Sequence, residues 1–201
     1  MKLILIRHGK TEYNERGAYC GALDPPLSEH GRRELEGSEA KRFLAEHPPG
    51  LVFVSPMRRA LETADILFSA DPDLPKLYPP EFREIDFGRF EGKTFEELKD
   101  DPEYIAWVDG FCEGPIPDGD FPDSFREDVA VGFEQALESC RIERMDDAAI
   151  VTHGGVLGTI LERYASPEKH WYEWKIPCGG FVVLEGDTQF DVTYMGGGAT
   201  C

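Results

Sequence analysis

Two histidines and two arginines, each placed after a short apolar run, carry the strongest chemical signal in this 201-residue chain. Arg7 and His8 follow KLILI, Arg59 lies just beyond LVFV, and His153 follows DAAIVT. A guanidinium is permanently charged and offers a planar fork of donors that matches phosphate oxygens. Gly9 beside His8 and the pair Gly154-Gly155 beside His153 permit close backbone approach. Backbone N–H groups at the start of a helix after His153 would add anion donors. An imidazole held among such groups can attack phosphorus or stabilise the transition state of its transfer. The group reads as a site for phosphoryl transfer without a metal, provided the fold brings its members together.

Three strands must align for that to happen. KLILI (2–6), LVFV (51–54) and DAAIVT (147–152) lack polar alternation, the pattern of strands buried on both faces. LSEHGRRELEGSEAKRFLAEH predicts a helix capped by Ser28, with Leu35, Phe43 and Leu44 inward, stopped by Pro48-Pro49-Gly50. SPMRRALETADILF predicts another, with Ser55 as cap and Pro56 at the first helical position. A proline-rich stretch, 72–80, leads into the turn-rich REIDFGRFEG. Residues 94–145 read as mostly helical around an exposed loop, GPIPDGDFPD. A helix from Val156 to about Tyr164 is expected next, then strands at about 180–185 and 190–195 joined by Glu185-Gly186-Asp187. Alternating strands and helices predict a three-layer α/β/α sandwich with a mostly parallel central sheet. The expected organisation is one domain, 1–201, with a helical cap or insertion around 94–128. Ligands of such sheets bind outside the carboxyl ends of the parallel strands, where Arg7, His8, Arg59 and His153 fall.

Charge narrows the partners. Twenty-one basic against 39 acidic residues leave a net charge of −18, which disfavours nucleic acid and anionic membrane surfaces. Only four apolar residues, Leu3 to Ile6, precede Arg7, too few for a secretory segment of roughly 7–15, and no run approaches the roughly 18 of a membrane span. The cysteines, Cys20, Cys112, Cys140, Cys178 and Cys201, are odd in number and scattered, which argues against a disulfide framework or a zinc ribbon. These features predict a cytoplasmic protein with reduced thiols.

LIRHGKTEYN resembles the signature of the histidine phosphatase superfamily, the phosphoglycerate-mutase-like fold. SPMRRALETA, REIDFGRFEG and VTHGG are similar to its second, third and fourth motifs, in the family order, across residues 4–155. The resemblance implies that His8 is the nucleophile that forms a phosphohistidine, while Arg7 and Arg59 clamp the phosphoryl oxygens. Arg59 is preferred to Arg58 because the family's arginine immediately precedes the alanine of that motif. His153 would bond the transferring group, and Asn14 would assist at the phosphate rim. Glu84 would give a proton to the leaving oxygen and then activate water. Cys20, Gly21 and Gly154 would line the substrate, with no metal and no other cofactor. Lys10 stands where the family more often has glutamate or glutamine. Asp123 falls in PDSF, where the family segment usually reads GES. Cys20 replaces a small polar residue and raises the question of oxidation sensitivity, against a buried inert thiol.

The family contains hydrolases and mutases. Residues 96–128 carry twelve acidic and two basic residues, a local charge of −10, the wrong sign for holding a second phosphate. Hydrolysis is therefore expected, with phosphoglycerate mutase as an alternative. AYCGALDPPLSEHG and PCGGFVVLE resemble the α-ribazole phosphatase branch, which implies removal of phosphate in cobalamin nucleotide-loop assembly; broad hydrolysis of small phosphoesters is the other option. Tyr104, Trp107, Phe111, Phe121 and Phe125 would either stack on an aromatic base or form the core of the cap. His30, His47 and His170 have no motif context, and Asp86 is a lesser candidate acid. The expected partner is one small phosphomonoester, with no nucleic acid and no membrane; a homodimer is one option for assembly. A metal hydrolase and a non-catalytic binding module are the competing classes.

Overall fold

Residues 1–197 are described in a computed structural model of the chain. In order they form β1 (Lys2–Arg7), α1 (Glu12–Arg16), α2 (Glu29–Glu36), α3 (Glu39–Glu46), β2 (Leu51–Val54), α4 (Arg58–Leu67), β3 (Lys76–Leu77), α5 (Phe95–Leu98), α6 (Pro102–Asp109), α7 (Pro122–Glu143), β4 (Asp147–Thr152), α8 (Gly154–Tyr164), β5 (Ala165–Ser166), β6 (Phe181–Gly186) and β7 (Phe190–Gly196). The seven strands make one sheet in the order β3-β2-β4-β1-β6-β7-β5. Strands β3, β2, β4 and β1 run parallel, and β6 pairs antiparallel with both β1 and β7.

The apolar strands are buried on both faces, as their composition requires. Leu3 and Leu5 of β1, with Phe53 and Ile150, pack under α7 and α8 through Val129, Phe133, Leu137, Val156 and Ile160. Ile4 and Ile6, with Val52, Val54 and Val151, pack on the other side against Leu35, Leu44, Ala60 and Ala64 of α2, α3 and α4. The result is the expected three-layer α/β/α sandwich with a mostly parallel sheet.

Several local expectations change. The helix predicted across residues 28–47 is two, because Ser38 starts a new one; its hydroxyl accepts from the Lys41 N–H as Ser28 does from Gly31. Helix α4 begins at Arg58 after Met57, so Ser55 and Pro56 lie outside it. Helix α8 starts at Gly154 rather than Val156. Pro122 opens α7, where its missing N–H costs nothing, so the loop ends earlier than predicted.

A third cluster lies beside the sandwich. Phe90, Leu98, Tyr104, Trp107 and Ile116 are buried there, with Tyr19, Phe87 and Phe125 packed against them. The Tyr19 and Tyr104 hydroxyls are hydrogen-bonded at 2.9 Å. Tyr104 and Trp107 thus lie inside this cluster, whereas Phe111 and Phe121 are exposed. Cys20, Cys112, Cys140 and Cys178 form no disulfide with one another; Cys201 lies outside the described residues. Among the described residues no helix is long and apolar enough to cross a membrane.

Candidate active site

The neighbours β2, β4 and β1 end side by side, and their next residues meet. Register pairs Arg7 with Thr152, so His8 and His153 leave the sheet together. Two further backbone bonds extend the ladder: the His8 N–H donates to Thr152 O at 2.8 Å and the Ser55 N–H to Val151 O at 2.9 Å. The two imidazole centroids lie 5.1 Å apart.

His8 Nδ1 is 2.7 Å from the carbonyl oxygen of Gly9. A carbonyl can only accept, so Nδ1 carries the proton and Nε2 of the neutral ring keeps its lone pair. Thr63 fixes this loop: its hydroxyl accepts from the Gly9 N–H at 3.0 Å and donates to Arg59 O at 2.7 Å. A Cβ on Gly9 would sit 2.5 Å from a methyl of Leu35 and 3.2 Å from one of Leu27, so a larger residue would push these buried side chains aside.

Arg59 is fully buried, as its position on the inner face of α4 requires. Its Nε donates to His153 Nδ1 at 3.2 Å, which places the proton of neutral His153 on Nε2, 2.7 Å from the Ser55 hydroxyl oxygen. Its Nη groups donate to the carbonyls of Leu23 at 2.6 Å and Gly21 at 2.9 Å. Arg7 donates from Nη1 to Ile176 O at 2.8 Å, and its buried Nε has no protein partner. That orphaned donor suits an anion.

Glu84 reaches the cluster from the segment between β3 and α5. Thr152 at the end of β4 anchors that segment by donating its hydroxyl to Phe82 O at 2.9 Å. The Glu84 carboxyl accepts from the Gly155 N–H at 3.0 Å and the Ile85 N–H at 3.1 Å. A Cβ on Gly155 would lie 2.4 Å from its Oε1, so a larger residue there would displace the carboxyl; at Gly154, over the Arg7 guanidinium, the nearest atom would be 3.4 Å away.

Burial shifts the two titrating groups in complementary directions. Desolvation first, then Arg59 and Arg7, hold His8 well below its ordinary 6.5. Desolvation raises Glu84 above its ordinary 4.5, against the lowering effects of Gly155, Arg59, Ile85 and Arg7. An unperturbed pair would be imidazolium and carboxylate between 4.5 and 6.5. The observed environment favours a neutral imidazole beside a protonated carboxyl, the state that a nucleophile and a proton donor need. Burial, then Arg59, likewise holds His153 well below 6.5.

The other expected residues take defined places. Asn14 Oδ1 accepts from the Thr11 N–H and hydroxyl in a capping box at the start of α1. Gly21 presses its Cα side against the segment after Glu84, where a Cβ would be 1.8 Å from Ile85 O. Burial pushes the Cys20 thiol up to about 11, so it stays protonated at neutral pH, the inert form. Lys10 is paired with Glu34 at 3.1 Å, and Asp123 with Arg126 at 2.7 Å on the surface. Arg58 is exposed and paired with Glu62, and the Asp86 carboxyl accepts from the Gly88 N–H. His30, His47 and His170 are all outside the cluster: His30 and His170 lie near surface carboxylates, and the His47 ring packs tilted against Phe43. Sequence reasoning missed Ser55, Thr63 and Thr152 as partners of the site. For Ser55 and Thr152 the one legible signal is a polar residue at or beside a buried strand end; Thr63 lies on the buried face of α4, one turn after Arg59.

Known proteins share the sequence pattern and the fold of this chain. The sequence profile of the histidine phosphatase superfamily (branch 1) matches residues 3–192. The adenosylcobalamin/alpha-ribazole phosphatase of Salmonella typhimurium is 30% identical over 200 residues, covering 92% of this chain and 95% of that protein. A 2,3-bisphosphoglycerate-dependent phosphoglycerate mutase of Bifidobacterium longum is 31% identical over 218 residues, covering 94% of this chain and 87% of that protein. The crystal structure of the alpha-ribazole phosphatase from Shigella flexneri superposes with a TM-score of 0.84 at 26% identity, covering 98% of this chain and 96% of that one.

Proposed function

Because the chain belongs to the histidine phosphatase superfamily and is an enzyme of the phosphatase type, we propose that it hydrolyses a phosphomonoester through a phosphohistidine on His8, without a metal. The observation that carries this reading is the bond between His8 Nδ1 and Gly9 O, which leaves Nε2 with a lone pair. Nε2 attacks phosphorus, an N–P bond forms, and the P–O bond to the alcohol breaks. Glu84 gives its proton to the departing oxygen. Arg7 and Arg59 offset charge on the phosphoryl oxygens; neutral His153 joins them by turning its Nε2 proton from Ser55 to the transferring group, with Asn14 at the rim and Cys20, Gly21 and Gly154 around them. A water then enters, Glu84 takes its proton, and inorganic phosphate leaves as the N–P bond breaks. An acid-labile label on His8, absent from His8→Ala, and turnover unchanged by EDTA are expected. Turnover that EDTA stops and zinc or manganese restores would replace this mechanism.

The negative charge of residues 96–128 supports hydrolysis over bisphosphate-dependent isomerisation, since a second phosphate would be repelled. Exchange between 3-phosphoglycerate and its 2-isomer in the presence of 2,3-bisphosphoglycerate should be absent; rapid exchange overturns this choice. The specific substrate we propose is α-ribazole 5′-phosphate. Likeness over nearly the whole chain to the Salmonella and Shigella proteins supports it. Broad hydrolysis of small phosphoesters is the second reading, favoured by the use of Tyr104 and Trp107 inside the cap rather than on an open stacking surface. A panel of α-ribazole 5′-phosphate, phosphoserine, sugar phosphates and nitrophenyl phosphate, compared by kcat/KM, decides between them. A clear preference for the first supports the specific claim, and equal values end it. The same reading makes the partner a small phosphomonoester rather than nucleic acid or membrane, and places the enzyme in the cytoplasm.

A further inference from the structure

We propose that Glu91, resting on the hydrolytic reading above, is a positioning residue that locks the loop holding Arg59 to the segment carrying Glu84. Glu91 follows the short helical turn Gly88–Phe90 and touches two stretches of backbone at once. Its carboxylate accepts from the Gly21 N–H at 2.9 Å and the Ala22 N–H at 2.8 Å, in the loop whose carbonyls receive Arg59. The same oxygen accepts from the Phe87 N–H at 3.0 Å, three residues after Glu84. The two stretches are in direct contact beneath this clamp, since a Cβ on Gly21 would meet Ile85 O at 1.8 Å and a ring carbon of Phe87 at 2.8 Å. One carboxylate therefore sets the distance between the carrier of the phosphate-clamping arginine and the carrier of the proton donor.

The residue type suits the task. A carboxylate has about four lone-pair sites, and its bonds to backbone N–H groups are charge-assisted. A carboxamide has one acceptor oxygen and turns an NH₂ toward donors, so glutamine would keep part of the clamp and alanine none of it. A misplacement of about 1 Å can cost on the order of a hundredfold in rate.

The test compares wild type, Glu91→Ala and Glu91→Gln on an alkyl and an aryl phosphomonoester across pH, with inorganic phosphate as competitive inhibitor and circular dichroism to verify folding. Glu91→Ala should lose about a hundredfold in kcat/KM on the alkyl ester and clearly less on the aryl ester, whose leaving group needs little protonation. Its inhibition by phosphate should weaken, and Glu91→Gln should recover part of both losses. Should Glu91→Ala fail to fold, the same two readouts on Glu91→Gln decide. An alkyl-to-aryl ratio and phosphate inhibition equal to wild type overturn the proposal, even where rate or melting temperature falls. A wild type without phosphatase turnover would instead overturn the hydrolytic reading.

Discussion

The ends of β1, β2 and β4 and the segment 94–128, the expected cap, treat polar groups in opposite ways. At the strand ends His8, Arg59, Glu84 and His153 are all buried, and each is oriented by hydrogen bonds to backbone or to a neighbouring side chain. In the cap the buried side chains, Leu98, Tyr104, Trp107 and Ile116 among them, are aliphatic or aromatic, and carboxylates stand outside, in pairs such as Glu103 with Arg89 and Glu96 with Lys99. A buried polar group that loses its partner bears the full desolvation cost, whereas an exposed ion pair contributes little. The strand ends should therefore tolerate almost no change. The cap should accept changes in charge and resist only changes in packing.

The largest effect that would break this comparison is at His8. His8→Ala should lose more activity than the roughly 10²–10⁴-fold attributable to an acid–base group, measured as kcat on any ester. Glu84→Gln comes next, with a loss of about 10²–10⁴-fold on alkyl phosphates and far less on nitrophenyl phosphate. Its pH profile carries the sign of the shifts. With His8 held below 6.5 and Glu84 above 4.5, wild-type kcat/KM on an alkyl ester should fall toward acid as His8 takes a proton. It should also fall toward alkali as Glu84 loses one. Glu84→Gln should remove the alkaline fall and keep the acid one.

Ser55→Ala tests whether satisfaction of buried donors matters as much as the catalytic groups themselves. It strands the His153 Nε2 proton, so denaturant titration should show a loss of about 1–3 kcal/mol. Turnover should drop several-fold. In the cap, Tyr104→Phe deletes the bond between the Tyr19 and Tyr104 hydroxyls and should cost about 0.5–1.5 kcal/mol with unchanged kcat. Asp123→Ala, at the exposed start of α7, should leave melting temperature and kcat/KM where they are. A large loss of activity from Asp123→Ala would end the contrast between the two regions.

Much of the fold was legible because the strands announce themselves. The apolar runs 3–6, 51–54 and 148–151 call for burial on both faces, and each is followed within five residues by a group of the site. Ser55 shows the limit. A serine before a proline and a helical pattern is locally indistinguishable from a cap, yet its hydroxyl serves a histidine 98 positions away. The split at Ser38 was missed because Glu39–Glu46 continues the helical pattern and only a backbone rotation separates the two helices. The aromatic residues of the cap read equally well as a stacking surface or a core, and their mutual packing settles Tyr104 and Trp107 as core.

By itself the sequence determined the reactive groups, their order and the class of sheet, because covalent identity and apolar periodicity are local properties. Only the tertiary structure decided the protonation that makes those groups useful. A histidine and a glutamate carry their ordinary affinities in an open chain. Here the fold removes both from water, which lowers the histidine and raises the glutamate; the two guanidiniums lower the histidine further and oppose the rise of the glutamate, while Gly9 O fixes the histidine proton on Nδ1. The same packing sets the Glu91 carboxylate between two stretches of backbone and gives an acidic molecule a small cationic interior.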